Sequence, residues 1–347
     1  MKRIFALCLV AVLLCAAFVS CGETAETTAA PETTVAPETT AAPETTAAPE
    51  TTAAPETTLA PETTEAPETT AAPETTAAPE TTEAPVEVVA PDAGTFTKMQ
   101  SVLLLGQSNM SGRGKAEYVE PISDDRIFMM RDGEWVKMQE PIHNESSSAG
   151  IGLAASFAKA FVETFDCELG LIPVAVGGSS VLQWKEGYTG EKQHLYAEAI
   201  KMAKEAQKTS EICAILWHQG ETNRTSPTYA THFKEAIDPM IEELGLDKDK
   251  LVIITGELGA WEGKDVELVN SALASIEAEG YYPKYGVASQ EGLTNIERNG
   301  SDSHFDSPSL RVFGYRYFEL FYEELMGKEC TYEYSQDPDT YRIDPTA

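Results

Sequence analysis

Short apolar runs alternate with amphipathic segments from about residue 96 onward, and this alternation is what most constrains the fold. Five runs are apolar almost throughout, which is typical of strands buried on both faces. They span residues 102–105, 169–176, 211–217, 251–255 and 285–288. Between them, apolar residues recur with helical spacing, as at Leu153, Phe157, Phe161 and Phe165. Strands that alternate with helices predict a parallel sheet covered on both faces, in a three-layer α/β/α domain.

The remaining elements complete one domain at residues 96–327. The predicted helices span residues 153–165, 191–208, 227–244, 265–279 and 307–325. Residues 125–138 are predicted to form a small hairpin, because Asp132-Gly133 supplies a tight turn between two short strands. The C-terminal tail, residues 328–347, is rich in Asp, Tyr and Pro and has no clear role in the sequence.

The first 20 residues are a predicted signal peptide. Lys2 and Arg3 precede an apolar run over residues 4–19, which is short for a bilayer span. The small residues before Cys21 resemble a bacterial lipoprotein processing site, with Cys21 as the lipidated N-terminus. We therefore expect the protein at the extracellular face of the cell membrane, held there by a lipid anchor. Ordinary secretion with cleavage nearby is the alternative.

Residues 21–95 are a predicted disordered linker. Proline recurs every six residues from Pro31 to Pro85, within a Thr- and Glu-rich repeat that has almost no large aliphatic residues. Such a segment cannot bury enough apolar surface to offset the entropy that folding would cost. We expect an extended spacer that holds the folded domain away from a surface.

Charge and cysteine content exclude some classes of function. The formal net charge is −31, and an acidic domain argues against binding to nucleic acid or to anionic lipid headgroups. Besides Cys21 and the two signal-peptide cysteines, the chain has Cys167, Cys213 and Cys330. This odd number, without paired metal-type spacing, predicts neither a zinc site nor a disulfide framework.

Four polar loops carry residue types that are used in acyl transfer. Three of them follow predicted strands, where ligands of open α/β sheets bind. These loops are GQSN at 106–109, GGSS at 177–180 and HQGE at 218–221. The fourth, NGSDSHFD at 299–306, precedes the last helix. Acyl transfer needs a nucleophile, a base, a group that orients the base, and donors for the oxyanion.

Ser108 is the candidate nucleophile and His304 is the candidate base. The alternatives are a turn or helix N-cap role for Ser108 and an ordinary loop position for His304. For the oxyanion, the candidate donors are the backbone N–H groups of Ser108 and Gly178 and the side-chain amide of Gln219. The alternatives are a phosphate-type loop or plain turn at GGSS, and a buried polar patch at HQGE.

Four sequence blocks resemble the sialate O-acetylesterase-like group of the SGNH hydrolase superfamily, which includes carbohydrate esterase family six and its acetyl xylan esterases. The blocks are LLLGQSNMSGRG, VAVGGSSVLQW, ILWHQGETN and SQEGL…SHFDSPSLRVFGYRY. The resemblance covers about residues 99–324. It implies a flavodoxin-like parallel sheet of about five strands and serine esterase activity on acetylated sugars, with no metal or other cofactor. By position it implies Ser108 as nucleophile, His304 as base, and Gly178 and Gln219 in the oxyanion hole.

One departure from the family pattern concerns the acid that orients the histidine. The family has an aspartate three residues before the histidine, where this chain has Ser301, and Asp302 lies only two residues before His304. We expect Asp302 to orient the imidazole. Glu221 is an alternative, and a histidine held only by backbone carbonyls is another. Loss of the orienting acid costs about 10⁴ in rate in a serine protease triad.

The combined prediction is a surface-anchored serine carbohydrate esterase that removes O-acetyl groups by a two-step acyl-enzyme mechanism. Its expected substrate is a xylan-type polysaccharide or sialic acid. We expect Gln107, Asn109 and Trp184 to contact the sugar, although packing explains Trp184 equally well. The alternatives are a non-catalytic glycan-binding module on the same fold, a lipid esterase, and a stalked adhesin.

Overall fold

The structure, a computed structural model, describes residue 90 and residues 92–263, 265–296 and 303–346. The signal peptide, Cys21, Asp302 and nearly all of the linker lie outside the described residues, and what the sequence suggests for them stays a prediction. Within the described part of the chain, no helix is both long and apolar enough to cross a bilayer.

The strands of the described residues form one sheet. They are β1 (Gln100–Gly106), β2 (Ile127–Arg131), β3 (Glu134–Lys137), β4 (Leu169–Pro173), β5 (Glu211–His218), β6 (Val252–Gly256) and β7 (Tyr285–Ala288). Their spatial order is β3-β2-β4-β1-β5-β6-β7. All neighbouring pairs are parallel except β2 and β3, which are antiparallel. The five predicted strands are β1, β4, β5, β6 and β7, and their order is the flavodoxin-like one that the resemblance implied.

Helices cover both faces of the sheet, which confirms the predicted α/β/α sandwich. They are α1 (Ser108–Ser111), α2 (Ala154–Phe165), α3 (Leu195–Ala206), α4 (Tyr229–Glu243), α5 (Val266–Ala278) and α6 (Ser307–Met326). Successive residues of β1 enter different cores. Val102 and Leu104 pack with side chains of α2 and α6, whereas Leu103 and Leu105 pack with those of α3, α4 and α5. All four side chains are fully buried, which explains why β1 is apolar on both faces.

The hairpin at residues 125–138 forms as predicted, but the sequence did not indicate its place in the sheet. Asp132 and Gly133 turn the chain with φ angles of 49° and 84°. β2 then pairs parallel to β4, because its Ile127 and Met129 side chains join the core that α2 covers. The sheet therefore has seven strands rather than about five.

The polar loops meet where the sheet order reverses. β2, β3 and β4 all lie on one side of β1, whereas β5, β6 and β7 lie on its other side. At the end of this neighbouring pair, Gly106 is in register with His218. A Cβ atom on Gly106 would lie 2.0 Å from the His218 carbonyl oxygen, and its φ is +122°, so only glycine fits. This close approach brings Ser108 beside the HQGE loop, at the edge where open α/β sheets bind ligands.

The C-terminal residues pack onto the domain, although the sequence suggested no role for them. Tyr332, Tyr334 and Tyr341 stack around Tyr315 of α6, with ring centroids 5.8, 5.2 and 5.7 Å from it. Arg342 then pairs with Asp306 at 2.5 Å, at the start of α6. The domain therefore extends past the predicted boundary at residue 327.

Candidate active site

Ser108 and His304 form a hydrogen-bonded pair. β1 ends at Gly106 and α1 begins at Ser108, so the serine lies at the carboxyl edge of the sheet. His304 lies in the loop before α6, whose N-cap Asp306 accepts a hydrogen bond from the backbone N–H of Ser309. The distance between His304 Nε2 and Ser108 Oγ is 2.9 Å. A hydroxyl and a base at hydrogen-bond distance are what nucleophilic acyl transfer requires.

The pair faces a cleft of about 690 Å³. Its wall is formed by the loops that follow β1, β3, β4, β5 and β6, together with the loop before α6. Many of its lining side chains are polar or charged, including Gln107, Arg113, Glu145, Lys192, Glu221 and Arg224. A second cavity of about 710 Å³, between the β2–β3 hairpin and α3, holds none of the predicted site residues. In the described residues, no cluster of three or more His, Cys, Asp or Glu side chains could hold a metal ion.

Glu221 is not the acid that orients His304. Its Oε1 accepts a hydrogen bond of 2.5 Å from Asn109 Nδ2 and lies 3.5 Å from Nε2 of His218. Glu221 begins a short 3-10 turn after β5, and this turn sets its carboxylate against His218. The alternative prediction for Glu221 is therefore wrong. Asp302 lies outside the described residues, so its role stays a prediction.

His218 and Glu221 form a buried pair next to the site. His218 is fully buried, its Nδ1 lies 3.0 Å from the Tyr317 hydroxyl, and its ring packs edge-on against Phe305 and Phe313. Burial by itself raises the pKa of Glu221, but the neighbouring His218 and Asn109 outweigh it, and the pKa lies below its ordinary value. Glu221 is therefore held as a carboxylate, which makes it a strong acceptor for Asn109.

Asn109 holds the backbone on both sides of His304. Its Nδ2 donates to the carbonyl oxygen of Ser303 at 3.1 Å, and its Oδ1 accepts from the N–H of Phe305 at 3.1 Å. The Asn109 side chain is buried and does not line the cleft. The prediction that it contacts the sugar is therefore wrong, and the structure makes it a support for the histidine loop.

The backbone N–H groups of Ser108 and Gly178 are available at the cleft. Both residues line it, and neither N–H donates a hydrogen bond to a described residue. Gly178 has φ of +64°, a left-handed conformation that glycine adopts at little cost. Two unengaged backbone donors near the nucleophile are suited to hold a developing oxyanion.

The side chain of Gln219 supports the loops instead of adding a third donor. It is fully buried. Its Nε2 lies 3.1 Å from Gln107 Oε1, 3.1 Å from the Ser179 carbonyl oxygen and 2.7 Å from Asn223 Oδ1. Its Oε1 accepts a hydrogen bond from the Tyr229 hydroxyl. An amide nitrogen has two protons, and three protein acceptors already surround this one, so the structure contradicts the prediction of an oxyanion donor at Gln219.

The other two predicted sugar contacts have different outcomes. Gln107 lines the cleft, and its Oε1 accepts from Gln219, so a contact between its Nε2 and the sugar stays a prediction. Trp184 is fully buried, donates from Nε1 to Ser179 Oγ at 3.1 Å, and packs edge-on against Trp217. The packing interpretation of Trp184 is therefore the right one.

The structure places three charged residues, which were not singled out from the sequence, around the Gly177–Gly178 turn. Glu145 Oε1 accepts from Arg113 Nη2 at 2.8 Å and from the N–H of Gly177 at 3.3 Å. Lys192 Nζ donates to the carbonyl oxygen of Gly177 at 2.7 Å. Arg113 belongs to the LLLGQSNMSGRG block, so the resemblance could have indicated that it lies near the site. Glu145 and Lys192 come from loops without a recognisable pattern.

Comparison with known proteins identifies the family. A family model described as "Carbohydrate esterase, sialic acid-specific acetylesterase" matches residues 98–323, which is more than half of the chain. The chain belongs to this family. The match includes all four polar loops and therefore both Ser108 and His304.

Individual proteins are similar to this chain in sequence or in fold. A probable carbohydrate esterase from Arabidopsis thaliana is 31% identical over 170 residues, which are 43% of this chain and 64% of the relative. The aligned part is thus less than two thirds of that relative's length. The solved structure of this same Arabidopsis thaliana protein has a TM-score of 0.56 and, in the structural alignment, 23% identity, covering 67% of this chain and 100% of its own. A carbohydrate acetylesterase from Xanthomonas citri has a TM-score of 0.50 and 18% identity, covering 67% of this chain and 57% of its own. The two solved structures, at 23% and 18% identity, show the fold alone.

Proposed function

We propose that this family member is a serine carbohydrate O-acetylesterase that works through an acetyl-enzyme intermediate. The observation that carries the proposal is the 2.9 Å hydrogen bond between His304 Nε2 and Ser108 Oγ. In the same cleft, two backbone N–H groups donate no hydrogen bond to any described residue. A glycan-binding module would not need a nucleophile and base at this distance, which is why the enzyme is favoured over that alternative.

The first half-reaction transfers the acetyl group to the enzyme. His304 Nε2 takes the proton of Ser108 as Oγ attacks the acetyl carbonyl carbon. The carbonyl oxygen becomes an oxyanion, which accepts hydrogen bonds from the N–H groups of Ser108 and Gly178. The bond between carbon and sugar oxygen then breaks, and His304 protonates the leaving sugar hydroxyl.

The second half-reaction regenerates the enzyme. His304 takes a proton from water, and the resulting hydroxide attacks the acetyl carbon of the intermediate. The ester bond to Ser108 breaks, acetic acid leaves and ionises to acetate in solution, and Ser108 Oγ recovers its proton from His304. We assign the orientation of the imidazole to Asp302, two residues before His304 in the sequence, because a carboxylate that accepts from the second ring nitrogen holds the base in the required tautomer.

The substrate class follows from the cleft and the family. Polar and charged lining residues suit a hydroxyl-rich sugar better than a long acyl chain, which argues against a lipid esterase. The candidates remain acetylated xylan-type polysaccharide and O-acetylated sialic acid. We also propose that lipidation at Cys21 holds the enzyme at the outer face of the cell membrane, with the linker as a spacer; secretion is the alternative.

Acetate release from the two candidate substrates tests the proposal. The wild-type chain should release acetate, and Ser108→Ala should reduce kcat by about 10³-fold or more, because the nucleophile is gone. Ser147→Ala is the matched control, since Ser147 is exposed and outside the cleft lining. Acetate release that survives in Ser108→Ala would refute the mechanism. The preferred substrate is the one with the higher kcat/KM.

A further inference from the structure

One peptide group joins the proposed oxyanion hole to a lysine. The N–H of the Gly177–Gly178 peptide belongs to Gly178 and is one of the two proposed oxyanion donors. The C=O of the same peptide belongs to Gly177 and accepts a hydrogen bond from Lys192 Nζ at 2.7 Å. Hydrogen bonds at the two ends of one amide polarise each other, because electron density moves from nitrogen towards oxygen. A charged donor at the carbonyl therefore makes the N–H a stronger donor.

Lys192 differs from the other basic residues of the cleft. Arg113 pairs with Glu145, and Arg224 pairs with Glu262. Among the described residues, Lys192 has no carboxylate partner, and its only hydrogen bond from Nζ goes to the Gly177 carbonyl oxygen. Its Nζ would lie 3.5 Å from a Cβ atom built on Gly178. The ammonium charge therefore lies at the carbonyl end of the Gly177–Gly178 peptide, and no carboxylate of the described residues pairs with it.

The backbone at Lys192 has an unusual conformation. Its φ is +57°, in the left-handed region that is unfavourable for an L-residue with a side chain. Glycine would avoid that cost, yet this position carries a long cationic side chain that reaches the Gly177 carbonyl. Strain of this kind is consistent with a functional role for the side chain.

The turn does not depend on Lys192 for its position. On the other side, the N–H of Gly177 donates to Glu145 Oε1 at 3.3 Å, and Glu145 is itself held by Arg113. The next residue, Ser179, donates from its N–H to the Val176 carbonyl oxygen at 3.2 Å. Removal of the ammonium should therefore change the polarity of the Gly177–Gly178 peptide more than its place.

We infer that Lys192 acts on the oxyanion hole indirectly, as a positioning residue that does not touch the substrate. It polarises the Gly177–Gly178 peptide and so strengthens the Gly178 N–H as a hydrogen-bond donor. The inference rests on the proposed function. Its effect belongs to the transition state, when the carbonyl oxygen becomes negative, so it should appear in kcat and leave KM unchanged. Since a whole oxyanion donor is worth about 10²–10³ in kcat, the weakening of one should cost about tenfold.

The test uses the full-length chain and 4-nitrophenyl acetate, a neutral ester with no sugar or carboxylate. Lys192→Met should lower kcat about tenfold and leave KM within about twofold. Lys192→Arg should recover most of the activity, because a guanidinium also gives a charged donor. Lys185→Met is the matched control and should keep wild-type kcat, since Lys185 pairs with Glu235 and does not line the cleft. Lys192→Gln, which keeps a donor without the charge, replaces the methionine variant if that one does not fold.

The outcomes separate the inference from the proposed function. If wild type hydrolyses the ester and a folded Lys192→Met has the same kcat, the inference is overturned while the esterase mechanism stands. If Lys192→Met changes only KM, and only for sugars that carry a carboxylate, Lys192 binds substrate and the inference is again overturned. If wild type does not hydrolyse 4-nitrophenyl acetate or acetylated sugars, both fail together. A tenfold loss in kcat that arginine restores supports the inference.

Discussion

Asn109→Ala gives a sharp test of how the structure places its base. The Asn109 side chain makes two hydrogen bonds to the loop around His304, one at Ser303 O and one at Phe305 N. Each neutral hydrogen bond contributes about 1 kcal/mol net. Their loss destabilises the loop conformation that holds His304 beside Ser108 by about 2 kcal/mol. Every 1.36 kcal/mol corresponds to about tenfold in an equilibrium or a rate. We therefore expect kcat to fall about 30-fold.

The measurement compares kcat and KM for 4-nitrophenyl acetate with the free energy of unfolding in urea. Because Asn109 supports the base and does not line the cleft, kcat should fall while KM stays close to the wild-type value. Asn144→Ala is the matched control, since Asn144 is exposed and lies outside the cleft lining. An Asn109→Ala variant that is folded and keeps wild-type kcat would refute the reasoning. A change confined to KM would return Asn109 to the sugar-contacting role.

Two further predictions concern residues whose roles the structure revised. The pKa of Glu221 is lowered in the folded protein, so its ionisation adds stability that is present above its unfolded pKa of about 4.3 and is lost as pH falls through the folded value. Glu221→Gln should therefore lose less unfolding free energy than wild type when urea denaturation is compared at pH 7 and below pH 4; an identical loss would contradict this. Trp184→Ala should lower the unfolding free energy by about 3–5 kcal/mol, as for other buried aromatic residues, with KM for acetylated sugars unchanged. A raised KM with full stability would restore Trp184 to the sugar site.

The sequence was most informative where burial leaves few choices. The uniformly apolar stretch in β1 contributes side chains to two cores at once, so its pattern predicted a buried strand. The alternation of such runs with helical segments predicted the three-layer domain. The hairpin was also visible, from Asp132-Gly133. Its parallel pairing with β4 was not, because the partner of an edge strand depends on which distant side chains it covers and local spacing does not record this.

In the site, too, features encoded by the local sequence were predictable, whereas those that depend on contacts with distant residues were not. Ser108 and His304 were identified from their loops and resemblance, and they lie within hydrogen-bond distance. The side-chain directions of Asn109, Gln219 and Glu221 were not predictable, because each follows a strand end where the turn decides which way it faces. The result is that Asn109 and Gln219, which were expected to contact the substrate, support the catalytic loops instead.

The contacts of the tail and of Lys192 were likewise not predictable from the sequence. Tyr332, Tyr334 and Tyr341 have no helical or strand periodicity, and only the ring of Tyr315 on α6 gives them a common partner. Lys192 reaches Gly177 over a separation of fifteen residues through a loop with no motif. Such contacts form only when the tertiary structure brings distant segments together, so they leave no pattern in the local sequence of the tail or of the Lys192 loop.

The central claim is that Ser108, activated by His304, is the nucleophile. The most direct test is labelling of the full-length protein with a fluorophosphonate probe, which reacts covalently with activated serines, followed by peptide mapping and an assay of acetate release. The account predicts one label, on the peptide that contains Ser108, together with loss of acetate release. It also predicts no label in Ser108→Ala and much slower labelling in His304→Ala. A label on another residue, or full acetate release from protein labelled at Ser108, would contradict it.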